Sequence, residues 1–169
     1  LGFQYELAEL LASRLGVRLE VVVPPRPDAM RQMLLDGVVD VIPVAAMSNA
    51  PERELRYSHP IVRANQVLVQ RTSEPPLTTL ADLAGRTVHV RASSSYVPTL
   101  ERVRRDVPTL AIAFVSEDLE TEDLIDKVGR GELPLTVANS VLLAAETAYR
   151  DDVQGTAVAA GFGRRRGGL

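Results

Sequence analysis

Apolar residues at Phe3, Leu7, Leu10, Leu11 and Leu15 recur at helical spacing, with Glu6, Glu9 and Arg14 between them. Gly16 comes next, where a helix C-terminal glycine belongs. The next stretch, Val17-Arg18-Leu19-Glu20-Val21-Val22-Val23, changes period: it alternates, is β-branched, and predicts a strand. Pro24-Pro25-Arg26-Pro27 is a turn, with Pro27 placed to open a second helix through Met30, Met33 and Leu34 to Gly37. Val38 to Val44 is a short apolar run that reads as a buried parallel strand. Strand and helix alternate, which predicts an α/β sheet with right-handed crossovers.

The same alternation continues. Ala64 to Gln70 predicts a strand, and the polar, proline-containing stretch Arg71-Thr72-Ser73-Glu74-Pro75-Pro76 is the best candidate for a lobe boundary. Thr79 caps a short helix, with Asp82 three residues on as in a capping box, and Gly85 ends it. Further strands are predicted at Arg86 to Arg91, Leu110 to Val115 and Leu135 to Ala138. Between and after them come helices through Leu100 and Val103, from Leu119 to Val128, and from Ser140 to Tyr149. Val153 to Ala160 is a last apolar segment. This is a second α/β unit of similar plan, without a sequence repeat between the two.

Composition adds mostly exclusions. With 46% hydrophobic and 24% charged residues, the 169-residue chain is neither low-complexity nor a disordered tail. It holds no cysteine, which excludes a disulfide framework, a thiolate zinc site and a cysteine nucleophile. A net charge of −3 gives no sign of nucleic-acid binding. The dense basic run Arg164-Arg165-Arg166 reads as a solvated turn or tail. No stretch approaches the ~18 apolar residues that span a bilayer. The chain opens on Leu1-Gly2-Phe3 without an initiator Met and enters a helical pattern directly, so a cut N-terminus is expected.

Catalytic chemistry is thinly supplied. His89 lies inside a predicted strand, opposite in facing to Val88 and Val90; His59 sits in a turn between Ser58 and Pro60. Neither has a neighbour at metal-ligand spacing, and no nucleophile elbow, P-loop or dinucleotide fingerprint is present. The acidic cluster Glu117, Asp118, Glu120, Glu122 and Asp123 reads as helix N-terminal dipole stabilisation. Three polar turns carry more. Ala46-Met47-Ser48-Asn49-Ala50-Pro51-Glu52-Arg53 comes after a predicted strand's carboxyl end, where open α/β sheets bind ligands. Ser48 and Asn49 offer hydrogen bonds, and Arg53 a planar fork matched to a carboxylate. Ser93-Ser94-Ser95 precedes a helix whose free N–H groups favour an anion. Asn139-Ser140 joins a strand to a helix in the same way. Three such turns in two α/β units predict one ligand held between two lobes.

These residues resemble a known family. Gly2-Phe3-Gln4-Tyr5-Glu6-Leu7-Ala8 is similar to the opening motif of type 2 periplasmic solute-binding proteins of the polar amino-acid class. Gly37-Val38-Val39-Asp40-Val41-Ile42, Ser48 to Arg53, Tyr57-Ser58-His59-Pro60-Ile61 and Leu80-Ala81-Asp82-Leu83-Ala84-Gly85-Arg86-Thr87-Val88 resemble later motifs of that family, in order. A narrower resemblance is to the solute-binding-like domain of membrane-bound lytic murein transglycosylase F and its relatives. The tracts Arg86 to Tyr96, Glu120 to Val128 and Leu135 to Ser140 carry it.

The resemblance implies an α/β, two-lobe, periplasmic-binding-protein-like fold, each lobe a mostly parallel sheet flanked by helices. Lobe 1 is expected over 1–71, lacking its first strand and so truncated; lobe 2 over 72–158; and a return crossover toward lobe 1 over 159–169. It implies that Arg53 grips a ligand carboxylate, with Ser48 touching the ligand beside it. Ser94 and Ser95, with Tyr96 next to them, complete the carboxylate site. Asn139 stands where the family carries an ammonium-binding carboxylate, and Asn49 and Tyr5 join the ligand-binding set. The neutral amide at Asn139 favours a peptide, an acylated amine or a muropeptide over a free amino acid. No catalytic residue, metal or cofactor is implied. The expected output is lobe closure on the ligand by a monomer, outside the cytoplasm, read by a transporter permease or an attached catalytic domain. A membrane anchor is expected in flanking sequence. Two other functions occur on this fold: a dehydratase-like enzyme and the sensor domain of a membrane kinase.

Overall fold

Two groups of contacts divide the chain, residues 1–59 and residues 60–169. The computed structural model describes residues 3–26, 29–43, 54–59 and 64–156.

In the first unit the predicted helices form. Helix α1 spans Phe3–Leu15 and ends where Gly16 takes a φ of +68°, a left-handed conformation that costs a residue with a Cβ about 1–2 kcal/mol. Helix α2 spans Met30–Leu35; Asp36 closes it by donating its backbone N–H to the Gln32 carbonyl at 2.8 Å. The predicted strands do not form. Residues 17–24 and 38–43 are irregular, and Val17, Val21, Val22, Val23, Val38 and Val41 are exposed. Alternation supplies propensity, but a strand persists only when a neighbour pairs its N–H and C=O groups. Among the described residues of this unit no such neighbour is present. Ala12 is the one described hydrophobic residue of the unit that is buried. A shallow hollow of about 70 Å³ lies among Val22, Pro24, Met30, Met33, Val39 and Ile42.

The second unit is a three-layer sandwich. Its strands are β1 (Gln66–Arg71), β2 (Thr87–Arg91), β3 (Ala111–Val115), β4 (Thr136–Asn139) and β5 (Val153–Thr156). They form one sheet in the order β3-β2-β4-β1-β5. Strand β2 runs parallel to β3 and β4, while β1 is antiparallel to both β4 and β5. Its helices are α3 (Val97–Asp106), α4 (Thr121–Gly129) and α5 (Ser140–Thr147). Strand alternation sends Leu68, Val88, Val90 and Val137 into one core with Leu83 and with Leu100 and Val103 of α3. It sends Val69, Ala138 and Val153 into a second core with Ile125 and Val128 of α4 and Leu143 of α5. Each fully buried leucine or isoleucine contributes about 1.5–3 kcal/mol.

The capping box anticipated at Thr79 and Asp82 is present: Asp82 Oδ2 accepts the backbone N–H groups of Thr78 and Thr79, each at 2.8 Å. Those bonds, the one from Thr79 first, hold its carboxyl below the ordinary range. The anticipated lobe boundary differs. Strand β1, expected to close lobe 1, sits inside the sheet of the second unit, and the chain divides instead after His59. The stretch Arg71 to Pro76 is no linker. Buried Gln70 donates its amide to the carbonyls of Glu74 at 3.2 Å and Pro75 at 2.8 Å. Gln154 donates to the carbonyls of Arg71 and Glu74. Glu74 pairs with Arg71 at 2.9 Å and Arg86 at 2.7 Å, which holds its carboxyl below the ordinary range. The polar residues that suggest a linker are the partners that fasten a tight turn.

Candidate functional site

The carboxyl ends of β2 and β4 lie side by side because the two strands are parallel neighbours. The turns leaving these two strands therefore share one edge of the second unit. After β2 comes the turn Ala92 to Tyr96, and after β4 the junction Asn139-Ser140.

The first turn is tied internally. Ser93 donates its backbone N–H to Glu117 Oε1 at 3.0 Å and its hydroxyl to Glu117 Oε2. Ser94 donates its N–H to the Arg91 carbonyl at 3.1 Å, and Ser94 Oγ accepts the Tyr96 N–H at 3.2 Å. The Val97 N–H goes to the Ser94 carbonyl at 3.1 Å. The expected cradle of free N–H groups is thus largely spent, with the Glu117 carboxylate in the place of an anion. Ser95 is exposed. Arg91, the last residue of β2, is 14% exposed at its side chain and donates from Nη1 to Glu120 at 3.2 Å. Glu120 also begins α4, its N–H donating to Asp123 Oδ2 at 2.7 Å. The acidic cluster thus lies at the start of α4, where dipole stabilisation is expected of it; Glu120 and Asp123 cap that helix, and Glu117 and Glu120 also fasten the β2 turn.

At the second turn, Asn139 is the N-cap of α5, its Oδ1 accepting the Leu142 N–H at 2.7 Å. Ser140 locks the adjoining strand: its N–H donates to the Asn65 carbonyl at 2.8 Å, and its Oγ accepts the Asn65 N–H at 3.1 Å. Tyr96 joins the two turns. Its ring packs against the core beneath α3, and its hydroxyl lies beside Asn139. The Leu135 carbonyl accepts from His89 of β2, and the Ser140 N–H points to the β1 side, so the Asn139 N–H points toward β2. Burial first, and the Glu122 charge in addition, push the Tyr96 phenol up.

Of the residues expected at a ligand site, Ser94, Tyr96 and Asn139 are thus brought together, with Ser95 beside them. Tyr5 lies half-buried on α1 of the first unit. Ser48, Asn49 and Arg53 fall outside the described residues. Sequence reasoning does not single out Arg91, Glu117 and Glu120 as part of this edge. Arg91 carries a usable signal, because a charged residue closing a strand just before a serine turn reaches the same edge. The pairing of Glu117 with Ser93, 24 residues away, leaves no local signal.

No helix among the described residues is long and apolar enough to cross a membrane. Among them, no cluster of three or more His, Asp or Glu side chains could hold a metal ion.

Residues 1–154 match the bacterial extracellular solute-binding proteins, family 3. The chain is 35% identical over 156 residues to membrane-bound lytic murein transglycosylase F of Desulfosudis oleivorans, covering 91% of this chain and 34% of that one. It is 32% identical to the protein of the same name from Shewanella baltica, covering 90% and 32%. The chain spans about a third of the length of these curated relatives. Among solved structures it resembles an ancestral arginine-binding protein bound to arginine, with a TM-score of 0.75, 21% identity, and coverage of 92% of this chain and 68% of that one. It also resembles holo ArgBP from T. maritima, with a TM-score of 0.72, 28% identity, and coverage of 92% and 66%. The fold is that of the amino-acid-binding proteins, and the chain belongs to the family 3 bacterial extracellular solute-binding proteins.

Proposed function

We propose that this chain is an extracytoplasmic binding domain that closes on a small carboxylate-bearing ligand: an amino acid, a peptide or a muropeptide. The observation that carries this reading is the edge on which Ser94, Tyr96 and Asn139 meet, at the carboxyl ends of two parallel strands in a solute-binding fold. Arg53 supplies the guanidinium that grips the carboxylate; Ser48, Asn49 and Tyr5 act with it, and Ser94, Ser95, Tyr96 and Asn139 contribute from the second unit. Closure excludes water, which strengthens the arginine–carboxylate pair, and the closed form is the output. The similarity to proteins named membrane-bound lytic murein transglycosylase F supports a regulatory binding domain within a longer, membrane-anchored, wall-acting protein. The fold match to amino-acid-binding proteins supports a transporter-type receptor as the second reading.

A melting-shift screen against amino acids, short peptides and muropeptides tests the binding claim, because a ligand that binds only the native state raises stability with its concentration. Arg53→Ala should abolish the shift. The ligand-free melting temperature should stay within about two degrees, the change expected when a side chain serves the ligand and not the core. A ligand shift of full size in Arg53→Ala would refute the role given to that side chain.

A further inference from the structure

Strand β3 lies at one edge of the five-stranded sheet, with β2 on its inner side and no strand among the described residues on its outer side. The ladder shows which groups β3 turns outward. Ala111 donates its backbone N–H to the Arg86 carbonyl at 2.9 Å, so Ala111, Ala113 and Val115 face β2. The other side of β2 is spent on β4, where His89 donates its N–H to the Leu135 carbonyl at 2.9 Å. By alternation, Ile112 and Phe114 turn their N–H and C=O groups to the open edge.

Edge strands are ordinarily guarded against pairing by a charge, a proline or a bulge. Strand β3 has none of these. Its sequence, Ala111-Ile112-Ala113-Phe114-Val115, holds no charge, proline or glycine, and it runs in unbroken register with β2. Phe114 is 58% exposed. The strand at the opposite edge, β5, is shorter and carries Gly155, which weakens it as a template.

This edge is complementary to itself. A second copy laid antiparallel beside it, about a twofold axis at Ala113, pairs every residue of β3. The outward groups of Ile112 meet those of Phe114 in the second copy, and the same pair recurs by symmetry, each exchanging two ladder bonds. Ile112 and Phe114 share the α3 face with Val88 and Val90, so each ring lies across from an isoleucine, an aromatic–β-branched pair. On the other face Ala113 meets Ala113 and Ala111 meets Val115. No like charges are opposed.

We propose that the outer edge of β3 is a self-association surface, on which two copies of this chain join their sheets antiparallel as a weak dimer, where the family resemblance implies a monomer. A single short strand pair is a small interface of the transient class. It uses none of the residues assigned to the ligand, so the proposal stands or falls apart from the binding reading.

Sedimentation equilibrium of the chain from about 10 µM to 1 mM tests association. The average mass should rise from 18.4 kDa toward twice that value. Phe114→Lys sets a charge on an already exposed position and should weaken association about tenfold or more. Ala113→Cys reads the register. The two copies of residue 113 form a non-hydrogen-bonded pair with Cα atoms about 4.5 Å apart, a spacing that a disulfide spans. The two copies of residue 111 lie about 13 Å apart. The chain has no other cysteine. Mild oxidation should therefore link Ala113→Cys at least about tenfold faster than Ala111→Cys, although Ala111 is the more exposed of the two. A mass of 18.4 kDa across the whole range overturns the proposal. A dimer that Phe114→Lys leaves intact also overturns it, as does equal linking of the two cysteine variants, since either puts the contact elsewhere on the molecule.

Discussion

In the second unit, alternation along Thr87–Arg91 ends in a strand whose Val88 and Val90 are buried, with a neighbour on each side. In the first, alternation along Val17–Val23 ends in irregular chain with Val23 81% exposed. The local patterns are equally good; the difference is pairing. Strand β1 meets β4 and β5, and its apolar residues on either face find a helix beyond them. Of the exposed large hydrophobic residues among those described, only Phe114, Val141 and Tyr149 belong to the second unit, and all the others to the first. Periodicity tells a segment which side to bury. It does not supply the surface against which to bury it.

The largest expected effect measures that contrast. Leu68 is fully buried on β1, and Leu68→Ala should cost about 2–5 kcal/mol in urea unfolding, the range for core leucines. Leu15, at the end of α1, is 66% exposed, and Leu15→Ala should change stability by under ~0.5 kcal/mol. Equal losses would mean that Leu15 is covered in solution and would break the comparison.

A second pair of substitutions holds backbone conformation constant and varies the surroundings. Gly16 and Gly131 have φ of +68° and +77°. A Cβ at Gly16 meets nothing within 4 Å, whereas one at Gly131 would lie 2.7 Å from Arg71 Nη1. Both alanine variants lose about 1–2 kcal/mol to the left-handed conformation. Gly131→Ala should lose up to about 1 kcal/mol more, because Arg71 must shift from its partly exposed pair with Glu74. Thermal unfolding of the two variants gives the difference directly.

Legibility in the sequence divides along the same line. Both helices of the first unit, strands β1 to β4 and the helices of the second, and the Thr79–Asp82 cap are legible, because spacing and capping are local; β5 reads only as an apolar segment. The strands predicted at 17–23 and 38–44 are not found among the described residues, because a strand is a relation between segments. The turn at Arg71–Pro76 resembles a boundary because its polar residues look solvated. Their partners, Gln70, Arg86 and Gln154, are specified only by the fold. At the candidate site, Ser94, Tyr96 and Asn139 are legible as turn residues after strands. That Asn139 spends its oxygen on α5 with Tyr96 beside it is hidden from sequence reasoning, because that approach depends on how β2 and β4 align.

The smallest effect concerns pH and belongs to the well-packed unit. His89 lies mid-strand on β2, its backbone N–H donating to the Leu135 carbonyl at 2.9 Å, with its ring Nδ1 buried and unpartnered. Burial holds its pKa below the ordinary 6.5, only partly offset by the Leu135 backbone carbonyl near the ring. Just below pH 6.5 the folded state therefore binds fewer protons than the unfolded state, so stability rises with pH there. The stabilisation is present above about pH 6.5 and is lost as pH falls through the lower folded value. Stability measured by urea unfolding should decline from pH 7 to pH 5 in the wild type. In His89→Gln that decline should be shallower, with the carboxylates Glu74 and Asp82 taking over only below about pH 4.5. An unchanged slope would show that His89 titrates as it does in the unfolded chain, and that the β2 face around it is open to water in the way the first unit's valines are.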